Sequence, residues 1–139
     1  MEYKKFDNKY IVRIDKNEEV IEKLTELCEK ENIKLWNINW IWATNYVQIG
    51  LFDTEKKAYN STILEWPMEI TSLMWNISAM NNEVYLHLHI NISNKNMEVF
   101  WGHLNQCKVS ATCEIIIDKI DGEIQREFNE EIWLNLYKF

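Results

Sequence analysis

The feature that most constrains the fold is a change of period at Asn32. Before it, across residues 18–31, Val20, Ile21, Leu24, Leu27 and Cys28 recur at helical intervals among Glu and Lys. That is the pattern of an amphipathic helix laid on a sheet. Asp15, three residues ahead of Glu18, has the spacing of a capping box that opens the helix. After Asn32 apolar and polar residues alternate, and residues 33–42, 46–52, 58–64, 68–77, 84–93, 97–104 and 108–120 read as strands. A further β-branched strand, 10–14, precedes the helix. One helix within a long strand series joined by short polar turns predicts an α+β fold with a largely antiparallel or mixed sheet. The 19-residue tail, 121–139, starts polar and ends apolar, as a segment that closes the sheet or docks on a neighbouring subunit would.

Within that series, Val84-Tyr85-Leu86-His87-Leu88-His89-Ile90-Asn91-Ile92 concentrates the chemistry. Residues two apart on a strand share a face, so His87 and His89 project together while Leu86, Leu88 and Ile90 point the other way. The chain has three histidines, and the third, His103, follows after one hairpin-sized interval. Three imidazoles from two neighbouring strands suit zinc or a similar transition metal with one coordination position open. The spacing equally allows three ordinary hydrogen-bonded histidines, because no dense ligand signature accompanies them.

Composition narrows the remaining classes. A length of 139 residues with 47% hydrophobic and 27% charged side chains describes one globular domain with a real core. No apolar run approaches a membrane span and no signal-peptide core follows Met1, so a cytoplasmic protein is expected. Cys28, Cys107 and Cys113, odd in number and unrelated in spacing, read as reduced buried residues rather than a disulfide framework. A net charge of −7, with only two arginines (Arg13 and Arg126), argues against direct nucleic-acid binding, which depends on clustered cations.

The order of these segments carries a resemblance. Ile38-x-x-Ile41, Gly50-x-Phe52-Asp53, Pro67-Met68-Glu69-Ile70, Asn76-Ile77-Ser78, His87-Leu88-His89 and Gly102-His103-Leu104 succeed one another as in the PPC domain (plants and prokaryotes conserved domain, DUF296). The likeness covers about residues 8–118, leaving 119–139 as a C-terminal extension of a single 1–139 domain. It implies a homotrimer and a metal, usually zinc, on the histidines matching His87, His89 and His103. In plant members a segment matching Trp66–Thr71 contacts partners, which points here to Pro67, Met68, Glu69 and Ile70 as a partner or ligand segment. The AT-hook that gives plant members their DNA-binding name has no counterpart in this sequence. Three functions follow as expectations: a trimeric metal-binding interaction module, a small metal-dependent hydrolase or lyase, or a DNA-associated regulator. For an enzyme, Glu65 and Glu69 are the candidate bases, weighed against solvated strand-end carboxylates.

One departure is systematic. The family favours glycine where this chain has Trp36, Trp40, Trp42, Trp66, Trp75, Trp101 and Trp133. Glycine serves positions that need positive φ or close backbone approach, and tryptophan serves neither. The expectation is that these codons are UGA, read as glycine in lineages that reassign it. UGG at the seven codons of the gene would instead mark genuine tryptophans.

Overall fold

The computed structural model describes the chain over residues 1–139, except for the side chains of 37–42 and of Trp75. Nine strands and one helix follow in the order β1 (Glu2–Phe6), β2 (Lys9–Asp15), α1 (Val20–Lys30), β3 (Trp36–Asp53), β4 (Ala58–Leu64), β5 (Met68–Met80), β6 (Glu83–Ser93), β7 (Val99–Lys119), β8 (Gln125–Asn129) and β9 (Leu134–Lys138). All pairings are antiparallel except that of β8 with β5, which makes the sheet mixed. The α+β expectation holds. The sheet also goes further than the pattern implied, since the pairs β3–β5, β5–β6, β6–β7 and β7–β3 close a ring.

Local chemistry accounts for most boundaries. Val20, Leu24, Leu27 and Cys28 are the buried face of α1, packed against β6 and β7. They share a core with Tyr10, Ile14, Leu88, Ile90, Ile92, Ile115 and Ile117, each at most 1% exposed. Each such aliphatic side chain stabilises the fold by about 1.5–3 kcal/mol. The capping box is only half formed. Asp15 closes β2 and its carboxylate goes to Arg13 Nε (2.9 Å), while its backbone N–H donates to Glu18 Oε2 (2.7 Å). The cap is Glu19, whose side chain accepts from the backbone N–H of Glu22.

Two pairs of predicted strands are each a single strand, β3 and β7. The breaks in alternation that divided them are bulges. Thr44 and Val47 on β3, and Leu104 and Cys107 on β7, are buried three apart, and the register shifts at those places. One extra residue bends a strand without ending it. The N-terminal strand β1, absent from the expectation, is a short, mostly exposed edge, so it carries little hydrophobic signal. The tail forms the β8–β9 hairpin on the sheet's β5 side. All three cysteines are free and buried, as their spacing implied.

The tryptophan positions divide. Trp133 has φ 60°, the left-handed region that a bulky side chain enters only under strain, and this fits the glycine expectation. Trp36, by contrast, is 2% exposed and is accommodated in the core. Trp66, Trp101 and Trp133 are substantially exposed, and the side chains of Trp40, Trp42 and Trp75 lie outside the described residues. Codon identity in the gene remains the deciding measurement, with UGA the expected result.

Candidate metal centre

The face of β6 opposite the core carries the site. Leu88 and Ile90 are buried, whereas His87 and His89 are partly open on the other side. Register then supplies the third ring. One row of residues crosses five strands: Met74 pairs with His89, His89 with His103, His103 with Gly50, and Gly50 with Ser61. His103 thus sits directly opposite His89, and directly opposed residues on antiparallel strands bring their Cβ atoms within about 4.5–5.5 Å.

The three side chains converge. Each offers a ring nitrogen, and these atoms all lie within 4.8 Å of one another. Ring centroids are 5.1 Å apart for His87 and His89 and 5.3 Å for each pair with His103. His87 Nε2 and His89 Nε2 approach to 3.1 Å. Two nitrogens on one tetrahedral zinc, each about 2.0–2.1 Å from the ion, are about 3.3 Å apart. His89 Nδ1 is buried with no hydrogen-bond partner among the described residues, so hydrogen bonding leaves donor capacity of this ring unused. The donor set is therefore the right chemistry at the right separation for a borderline-soft divalent cation.

Electrostatics keep the rings neutral. Burial, with the nearby His103, His89 and Arg126, pushes the His87 pKa down to about 4. Burial lowers His89 as well, and burial together with His89 lowers His103. Neutral imidazole is the metal-binding form, so the site is ready to ligate at pH 7. Burial raises the three cysteine thiols, with Cys107 pushed up to about 12, and none of them belongs to the histidine cluster.

Neighbouring side chains that the sequence did not single out complete the setting. Tyr59 lies edge-on to His103 at 6.3 Å and its hydroxyl donates to Asn105 Oδ1 (2.6 Å). It can lie there because Gly50 has no side chain: a Cβ at Gly50 would fall 2.2 Å from the Tyr59 hydroxyl. Gly102 is tighter in a different way, since its Cβ would meet the Gly50 carbonyl oxygen at 3.0 Å and Ile49 Cβ at 3.1 Å. Backbone cannot swing aside as a tyrosine tip can. Gly102→Ala is therefore expected to cost about 1–3 kcal/mol, and Gly50→Ala less than about 1 kcal/mol with Tyr59 displaced. Paired denaturant titrations check the order, and a larger loss for Gly50→Ala would refute it.

The partner segment is not brought to the histidines. Met68 and Ile70 are core residues, 3% and 1% exposed, while Pro67 and Glu69 face outward. Glu69 is five residues from Met74 along β5, roughly 17 Å at the strand rise. Glu65 is an exposed residue just before the strand. Both carboxylates have the solvated surroundings that argue against a catalytic base.

Comparison with known proteins agrees with this architecture. The chain aligns over 99% of its length with a candidate DNA-binding protein of Bacteroides thetaiotaomicron, at 35% identity and TM-score 0.96 over 96% of that chain. A metal-containing protein of Archaeoglobus fulgidus superposes with TM-score 0.88 at 30% identity, over 99% of this chain and 96% of the other. A plant- and prokaryote-conserved (PPC) protein of Pyrococcus horikoshii does so with TM-score 0.85 at 28% identity, over 99% and 94%. Among curated protein sequences none matches. No helix among the described residues is long and apolar enough to cross a membrane. The model of the Plants and Prokaryotes Conserved (PCC) domain matches residues 1–121, taking in β1 as well as the histidine strands, and the chain belongs to that family.

Proposed function

We propose that this chain is a metal-binding interaction module, a single domain over residues 1–139 that works as a homotrimer in the cytoplasm. His87, His89 and His103 hold zinc or a similar divalent metal, and Pro67 and Glu69 offer the exposed part of a partner-contact segment. The observation that carries the reading is the convergence of three neutral imidazoles, two of their nitrogens 3.1 Å apart, in a cluster without a carboxylate. A three-histidine set leaves the ion's full charge uncompensated, and a bound metal would supply Lewis acidity at an open position. The family relationship to a metal-containing protein supports the same assignment. Elemental analysis of protein purified without a histidine tag tests it, with close to one metal per chain expected.

The enzyme reading ranks second because a metal site needs an acid or base beside it, and neither Glu65 nor Glu69 lies there. The regulator reading rests on the names of relatives. Against it stand the −7 charge and the two arginines, one of which, Arg126, is buried. Sedimentation at physiological salt is expected to give three times the 16.8 kDa chain mass, unchanged on adding duplex DNA. A monomer would remove the trimer, and co-sedimentation with duplex would restore the regulator.

A further inference from the structure

Beside the histidines lies an amide whose orientation is dictated by a buried cation. Arg126 is 9% exposed and no carboxylate pairs with it among the described residues. Its Nε donates to Ser78 Oγ (2.7 Å), Nη1 to the Asn135 carbonyl oxygen (2.6 Å) and Nη2 to Asn76 Oδ1 (2.7 Å). A guanidinium has donors only, so the Asn76 atom facing it must be the oxygen, and the flipped amide would set donor against donor. The Asn76 NH2 group is thereby turned away from Arg126, and no protein acceptor takes it among the described residues. Asn76 pairs in register with His87 and lines one cleft with His87, His89, Asn91 and Met74.

None of those side chains is acidic, although the chain as a whole carries −7. The cleft combines a donor held in place, an unneutralised guanidinium behind it and a set of neutral cation ligands in front. In an acidic protein this is a local site for negative charge. We infer that the cleft binds a small carboxylate, with the Asn76 amide, oriented by Arg126, donating to it beside the three-histidine centre. This deepens the metal reading and rests on it. Asn76 is a binding residue here, and Arg126 a positioning residue acting through it.

The test uses the full chain loaded with cobalt(II), whose visible absorption reports both ion and ligand, titrated with acetate. Asn76→Asp keeps an oxygen acceptor for Arg126 and puts a negatively charged oxygen, which repels acetate, in place of the NH2 donor. Asn76→Leu removes the donor without adding charge. Both variants are expected to bind cobalt at wild-type stoichiometry, with acetate affinity weakened about 10-fold to 100-fold, the worth of a hydrogen bond to a charged group. Acetate binding in Asn76→Leu equal to wild type would overturn the inference, as would a wild-type response to inorganic phosphate but not to acetate. A wild-type chain that takes up no cobalt would fail at the earlier step, and so overturn the metal reading together with this one.

Discussion

Replacing His89 by alanine is expected to abolish stoichiometric metal binding. His89 shares β6 with His87 and register with His103, so its loss leaves two imidazoles, with ring centroids 5.3 Å apart, where three converged. Structural zinc sites are worth about 10–16 kcal/mol over four ligands, so one ligand accounts for an affinity loss on the order of a hundredfold to a thousandfold. Elemental analysis and competition with a chromophoric chelator measure it, and unchanged metal content would move the site elsewhere. The wild-type site should also release its metal on acidification. The folded-state pKa of His87 is depressed to about 4 from the ordinary 6.5, and His89 and His103 are shifted in the same direction. Between those values the unfolded chain binds more protons than the folded one, so stability rises with pH through this window. The contribution is intact above pH 6.5 and is lost as pH falls toward 4. The Tm of the metal-free protein should fall within that interval, and metal release should come at or below its acid end, where protons begin to compete for His87.

Arg126→Met should be the most damaging single change in the C-terminal segment, at about 2–4 kcal/mol, from three oxygen acceptors left without their donor. The two aromatic faces that the cation now occupies, Tyr85 at 4.9 Å and Tyr137 at 4.3 Å, add to the loss. The backbone holds the hairpin to the sheet only lightly. One register pair, Ala79 with Gln125, and the hydrogen bond from Ala79 N–H to the Ile124 oxygen (2.9 Å) join β5 to β8. Hydrogen exchange should therefore show β8 and β9 losing protection while β6 and β7 keep theirs. Arg126→Lys should not restore it, since a point-like ammonium cannot reach Ser78, Asn135 and Asn76 at once. Retained protection in Arg126→Met would mean that backbone pairing alone secures the hairpin.

The helix and the strand faces were legible because each depends on local periodicity. Val20, Leu24, Leu27 and Cys28 announce a buried helical stripe, and the His87/Leu88 alternation fixes which residues face away from the core. Strand continuity was not legible. A bulge at Thr44–Tyr46 and a chain break leave the same interruption in the alternation, and only pairing with a neighbour distinguishes them. The half-formed capping box has a similar cause: the fold gives the Asp15 carboxylate to Arg13 (2.9 Å) and to the Met1 amino group (3.3 Å), and Glu19 caps the helix instead.

At the site, residue type and spacing determined which three side chains could act together and on which face. Two imidazoles two apart on one strand share that face whatever the rest of the chain does. Tertiary structure alone decided that His103 lies opposite His89, because cross-strand register depends on bulges and turns far from either residue. It alone brought Arg126, fifty residues along the chain from Asn76, to orient the amide beside His87, and seated Tyr59 over Gly50. Those partners carry no spacing signal, since long-range contacts are selected by how buried faces pack and not by any period along the chain.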